Sequence, residues 1–190
     1  MQMRLGESLR FTLFGTSHGP KVGAFLEGVP KGIKINRDLI QKAMDERKPG
    51  GKYASKRKEP DNVEILSGIK DEMTTGEIVE ISIKNSDVRS TDYSFLPDHP
   101  RPGHQDMVMM KRTKGEADLR GGGTSSARLT APIVAAAAII EPILSTLGIK
   151  FNAHVSSIGN INAKPINQCP EKWYSEDCRE IRCRDPDVVE

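Results

Sequence analysis

Several things are scarce in this chain of 190 residues, and each scarcity excludes something. Aromatic residues make up 5% of it, with one tryptophan, too few to interleave with basic residues as single-strand RNA binders require. The formal net charge is only +2, so no overall positive field argues for a nucleic-acid partner. No unbroken run of about 18 apolar residues occurs, which argues against a membrane span. The opening Met-Gln-Met-Arg-Leu-Gly-Glu-Ser lacks the apolar core of a secretory signal. Cys169, Cys178 and Cys183 are an odd set without a CxxC pair, a pattern of reduced thiols in the cytoplasm rather than of a disulfide framework or a zinc site. No internal repeat is visible. What is present, 36% hydrophobic residues, is lean but enough for one core if the apolar segments pack together.

The chain is organised around Asp118-Leu119-Arg120-Gly121-Gly122-Gly123-Thr124-Ser125-Ser126-Ala127-Arg128. Three glycines let the backbone take φ > 0 and approach a ligand closely. An apolar, alanine-rich run from Ser125 to about Leu147 follows and reads as a buried helix, so the loop is expected to open that helix and present its N–H groups to an anion. Arg120 and Arg128 flank the loop with guanidinium forks suited to phosphate or carboxylate. A flexible turn would also account for three glycines, so the neighbouring segments have to decide.

Residues 9–14 alternate as a strand and run into the turn Gly15-Thr16-Ser17-His18-Gly19-Pro20, with a second strand near Val22–Gly28. His18 sits between turn residues at a strand end, where it is either solvated or aimed into a pocket. Asn36 reads as the N-cap of a helix reaching Glu46, with Leu39, Ile40 and Ala43 as its buried stripe. From Arg47 to Lys58 there are six basic residues and no acid, either a solvated loop or a cationic lid for a multiply charged anion. Residues 62–69 and 77–84 read as strands of an antiparallel sheet with one buried face. The long polar stretch from Asn85 ends in Asp98-His99-Pro100-Arg101-Pro102-Gly103-His104, the kind of loop that carries function; His99 reads as a surface residue. Met107, Met109 and Met110 suit a short helix with core-filling side chains. Pro132 is tolerated in a first helical turn, Pro142 should kink or end the helix, and a strand is expected near Ile149–Ile158. Beyond Asn160 the chain reads as loop, without a closing element.

Three of these segments together resemble chorismate synthases. Phe14-Gly15-Thr16-Ser17-His18-Gly19 is similar to that family's Phe-Gly-Glu-Ser-His-Gly turn. Arg101-Pro102-Gly103-His104 and Arg120-Gly121-Gly122-Gly123-Thr124-Ser125-Ser126-Ala127-Arg128 are similar to its two other signatures. Glu59-Pro60-Asp61, Ile65-Leu66-Ser67-Gly68, Arg89-Ser90 with Asp92-Tyr93, and Asp185-Pro186-Asp187 also look like the family. The resemblance covers the whole chain but only the N-terminal half of the family's length; the later glycine-rich and Arg-His-Asp-Pro motifs are absent.

The resemblance implies an α+β fold, a β-α-β sandwich with helices between antiparallel sheets, of which residues 1–190 form the N-terminal part of one domain. It implies a lyase of aromatic amino-acid biosynthesis that converts 5-enolpyruvylshikimate-3-phosphate to chorismate by anti 1,4-elimination, needing reduced FMN, with NADPH only where flavin reduction is intrinsic. A cytoplasmic homotetramer with no nucleic-acid or membrane partner is expected. His18 and His104 match the family's active-site histidines, one protonating the departing phosphate and one serving the flavin, in an order left open. Arg47, Lys52, Thr124, Ser125 and Ser126 match cofactor-side positions. Arg57, Arg120 and Arg128 are expected to meet the anionic substrate. The chain departs from the family pattern at Thr16 for Glu, Thr124 for Arg, Lys48 for Arg, Met107 and Met109 for tyrosines, and at Pro132. An inactive, anion-binding fragment of the family is the alternative.

Overall fold

The computed structural model describes residues 3–48 and 59–189. They fall into two compact units, one comprising 3–48 and 59–146, the other 147–189. The basic run's Lys52 and Arg57 lie outside the described residues.

The first unit is built on a five-stranded sheet. Its strands are β1 (Met3–Leu5), β2 (Arg10–Gly15), β3 (Lys21–Glu27), β4 (Val63–Ser67) and, after a short separate pair of β5 (Ile69–Lys70) with β6 (Met73–Thr74), β7 (Val79–Lys84). The order is β1-β2-β3-β7-β4, and every neighbouring pair is antiparallel. Alternation along the strands sends one set of side chains to one face. In register, Val22 lies opposite Ile83, Ala24 opposite Ile81 and Leu26 opposite Val79, while Val63 and Ile65 join Ile83 and Ile81 from β4. The six residues on β3 and β7 have no solvent exposure. Burying a Val, Leu or Ile side chain contributes roughly 1.5–3 kcal/mol, so this face is the main source of cohesion.

Two helices cover that face. Helix α1 (Arg37–Arg47) begins at Asn36, whose side chain accepts from the N–H groups of Asp38 and Leu39. Its buried residues are Ile40 and Met44, one turn apart, while Leu39 is 54% exposed. The expected stripe is therefore rotated: an i, i+4 pair meets the core, and Leu39 falls at its margin. After a short helix α2 (Asp106–Arg112), which buries Met109 and exposes Met107, the long helix α3 (Thr130–Thr146) lies on the sheet. Ala131, Pro132, Ala135, Ala136 and Ile139 are its buried residues. Small side chains there allow close approach to β3, β7 and α1. The stretch Ala127–Thr146 is long and apolar enough to cross a membrane by length and composition alone, but its buried face is the one laid on the sheet.

Three expectations differ from the structure in this region. Helix α3 starts at Thr130, not Ser125, because the loop first makes two 3-10 turns, Gly123–Ser125 and Ala127–Leu129. It also continues a turn past Pro142, where Ile143 still packs against the core and outweighs the lost backbone bond. Asn85–Pro102 is not wholly irregular, since Ser90–Tyr93 forms a 3-10 turn.

The second unit holds β8 (Ser157–Ile158) and β9 (Ile161–Asn162), joined as a tight hairpin, and α4 (Glu176–Ile181), capped by the Ser175 side chain. The strand expected near Ile149–Ile158 is thus reduced to two residues, because only Ser157 and Ile158 find a ladder partner among the described residues. The loop expected after Asn160 contains α4. Asp185 clasps this unit by accepting from the N–H groups of Lys164 and Asp187. Cys169, Cys178 and Cys183 are free thiols, and the described residues hold no group of metal-ligating side chains.

Candidate active site

Two segments distant in sequence converge on the glycine loop. From the β2–β3 turn, Thr16 Oγ1 donates to Asp118 Oδ2 at 2.9 Å, the Ser17 N–H donates to the Gly123 carbonyl at 3.2 Å, and Ser17 Oγ donates to the Arg120 carbonyl at 3.3 Å. From the 101–106 turn, Arg101 Nη2 donates to the carbonyls of Leu119 (2.9 Å) and Gly121 (2.8 Å), and Gln105 Nε2 to that of Gly122 (2.6 Å). The loop is gripped from both sides by groups that bond its backbone.

Glycine is required at position 121 for two separate reasons. Its φ is +60°, and a Cβ there would stand 2.6 Å from Cε1 of the His18 ring. So the imidazole lies directly against the loop backbone. Its other side meets Tyr93 edge-on, with ring centroids 4.8 Å apart, and Tyr93 in turn sits under the Arg101 guanidinium at 5.5 Å. His18 Nδ1 is 3.1 Å from Ser17 Oγ.

His104 is held differently. Its Nδ1 lies 2.7 Å from Oδ1 of Asp106, a fully buried carboxylate. Arg101 grips the same carboxylate through its Nε to Oδ2 and its Nη2 to Oδ1, both at 2.7 Å, and its backbone N–H adds a bond to Oδ2 at 2.9 Å. The Arg101 hydrogen bonds hold the Asp106 carboxyl far below the usual carboxylate range, against the opposing effect of burial. At the loop's entrance, desolvation would raise Asp118, but hydrogen bonds from Arg120 and Thr16 outweigh it and leave its carboxyl below the ordinary value.

Among the described residues, the arginines expected to meet an anion all face carboxylates. Arg120 donates from Nε and Nη2 to Asp118 and from Nη1 to Ser90 Oγ. Arg128, 5% exposed, bonds Asp61 through Nη1, Asn85 through Nε and the Lys84 carbonyl through Nη2, with Glu59 4.0 Å away. Arg47 reaches the same Asp61 at 2.8 Å and Thr130 Oγ1 at 3.1 Å. Arg47 and Arg128 thus share one buried cluster beneath α3, separate from the groups around His104. Of the loop hydroxyls, Ser126 caps the following turn by accepting from the Arg128 N–H; Ser125 is exposed and Thr124 half-buried.

A family model described as chorismate synthase matches residues 9–190. The chorismate synthase of Aeropyrum pernix is 42% identical over 187 residues, covering 98% of this chain and 49% of the relative. That of Methanosarcina barkeri is 41% identical over 186 residues, covering 97% and 50%. The chain belongs to the chorismate synthase family. A solved structure titled "Crystal Structure of Chorismate Synthase" aligns with a TM-score of 0.64 at 25% identity, over 95% of this chain and 50% of that one. The match bears out the expected α+β fold of chorismate synthase type, and the chain spans about half the length of the curated relatives it matches. Enzymes of the family are lyases that work with a flavin.

Of the motif residues, His18 lies against Gly121, His104 is tied to the glycine loop through Asp106 and Arg101, and Arg120 and Thr124–Ser126 are parts of the loop itself. Asp106, Arg101, Asp118, Ser17 and Tyr93 hold these residues in place; all but Asp106 stand in the sequence motifs, yet none was expected as a site residue. Two had a local signal: Asp106 lies two positions after His104, and Asp118 two before Arg120. Asp61, Glu59 and Asn85 carried no such signal, because only folding brings them to Arg128.

The donor set fits part of a flavin site. The Thr124 and Ser125 hydroxyls and the two imidazoles suit the polar edge of a flavin ring or its phosphate. Arg47 fits less well, since its guanidinium is engaged by Asp61.

Proposed function

We propose that this chain supplies the N-terminal half of a chorismate synthase, which eliminates phosphate and a proton from 5-enolpyruvylshikimate-3-phosphate. The convergence of His18 and His104 on one glycine loop is the observation that carries this reading. Two imidazoles, one against Gly121 and one tied to the loop through Asp106 and Arg101, suit a reaction that releases both an anion and a proton. His18, against Gly121, would give a proton to the departing phosphate or to the cofactor, and His104 would serve the other. Thr124, Ser125 and Ser126 would hold the cofactor's polar atoms. Reduced FMN, when bound, supplies electron density to the allylic system as phosphate leaves. Arg120, with Lys52 and Arg57 of the basic run, would attract the substrate's charges. The reading includes a cytoplasmic homotetramer, with NADPH used only where flavin reduction is intrinsic.

A second reading, an anion-binding fragment without turnover, has one observation in its favour. Arg101, Arg120 and Arg128 each face a carboxylate, so few cations of the described site are left for a polyanion. Anaerobic turnover with reduced FMN, together with the intact mass of the native protein, separates the two. Phosphate release from a native chain about twice this length supports the synthase reading. A native mass equal to this chain, with no release, leaves the fragment.

A further inference from the structure

The two histidines of the site differ in what their Nδ1 atoms face. Beside His18 stands the Ser17 hydroxyl, whose single proton can go to the Arg120 carbonyl or to His18 Nδ1, so that contact holds either tautomer. Beside His104 stands Asp106, which can only accept while it is ionised. Its four hydrogen bonds leave little capacity: Oδ2 takes the Arg101 N–H and Nε, and Oδ1 takes Arg101 Nη2 and His104 Nδ1. A carboxylate pinned at both oxygens cannot swing with the ring, so the ring is pinned too.

We propose that Asp106 is a positioning residue that fixes His104 as the Nδ1–H tautomer, leaving Nε2 as its one working atom. Neutral His104 then accepts a proton at Nε2, and charged His104 returns it from the same nitrogen. Both directions of transfer use a single position in space, as a group that must give and regain a proton requires. Arg101 makes the arrangement cooperative with the rest of the site. The Nη2 that holds Asp106 Oδ1 also binds the carbonyls of Leu119 and Gly121, so the orientation of His104 and the position of the glycine loop are set by one guanidinium. The same guanidinium lies over Tyr93, which contacts the His18 ring.

The assignment of Nε2 to proton transfer rests on the chorismate synthase reading, but the tautomer does not, and the tautomer is what the test measures. Long-range ¹H–¹⁵N correlation spectra of the ¹⁵N-labelled 190-residue chain report which ring nitrogen of each neutral histidine bears hydrogen. His104→Gln assigns the signals, and the spectra are read at the high-pH end, where they stop moving. The expected result is a pyrrole-like Nδ1 and a pyridine-like Nε2 for His104, the reverse of the form that free histidine prefers. In Asp106→Asn the dominant tautomer should invert or become mixed. A dominant Nε2–H form in the unaltered chain overturns the proposal, as does an unchanged Nδ1–H form in Asp106→Asn. If Asp106→Asn does not fold, the unaltered chain still decides. No substrate or flavin enters these spectra, so a failure of turnover leaves the tautomer result standing.

Discussion

Asp61 and Asp106 are both fully buried, and both are held by arginine, yet they sit in clusters with different consequences. Asp61, at a left-handed φ of 53°, is shared by Arg47 and Arg128, and those arginines reach onward to Thr130, Asn85 and the Lys84 carbonyl. Its partners are all parts of the scaffold: α1, the start of α3 and the end of β7. Asp106 has one arginine and one histidine, and that histidine's side chain remains 33% exposed. A buried carboxylate thus braces the fold when all its partners are cations bonded onward to the scaffold. It tunes a reactive group when one partner reaches the surface. Composition does not distinguish the two; the last partner does.

The largest effect expected on this comparison is in the first cluster. Asp61→Ala leaves two guanidinium groups without their shared carboxylate, and losing one member of a buried ion cluster costs about 3–5 kcal/mol. Urea unfolding should show that loss, and a change below about 1 kcal/mol would mean the cluster is well solvated. Next, His104→Ala and His18→Ala in the active assembly should each lower turnover by roughly 10²–10⁴-fold, the range for a general acid or base. The unfolding midpoint should stay near that of the parent chain. A midpoint falling as far as in Asp61→Ala would place the histidine with the scaffold instead.

A third expectation concerns acid. Asp106 is depressed in the folded chain, so its contribution is fully present above the unfolded-state value near about 3.9 and is lost as pH falls below that toward the folded value. The stability gap between the parent chain and Asp106→Asn should therefore be constant near neutrality and shrink below about pH 4. A gap that is flat through that range would contradict the depression.

Smaller again is Ser126→Ala, which removes the cap on the Arg128 N–H and should cost about 1 kcal/mol. Loss of FMN affinity without loss of stability would mean that its hydroxyl meets the cofactor rather than the backbone. The smallest effect belongs to Lys84→Ala. Its partner is Glu64, both side chains are well exposed, and such pairs are worth about 0–1 kcal/mol and fade with salt.

Much of the scaffold was legible before folding. The alternation at 9–14, 62–69 and 77–84 marked strands that the structure places at Arg10–Gly15, Val63–Ser67 and Val79–Lys84. Asn36 was readable as a cap because its side chain acts within three residues. The reading failed where tertiary context overrode local preference. Leu39 is apolar but falls outside the α1 contact with the core. Pro142 is a breaker, yet the helix around it is held by packing. Ile149–Ile158 has strand composition, but two of its residues alone gain a ladder partner among those described.

The sequence by itself determined which residues could carry the chemistry. Two histidines in Gly-rich turns, three consecutive glycines and flanking arginines are local patterns, and a local pattern survives in one dimension. Which of those charges are engaged was decided only by the tertiary structure. Arg128 and Asp61 are 67 positions apart, and Thr16 and Asp118 are 102 apart. Electrostatic pairing depends on distance in space, so no spacing along the chain could show that Arg128 braces the fold, or that His104 is steadied by Asp106 and Arg101 together.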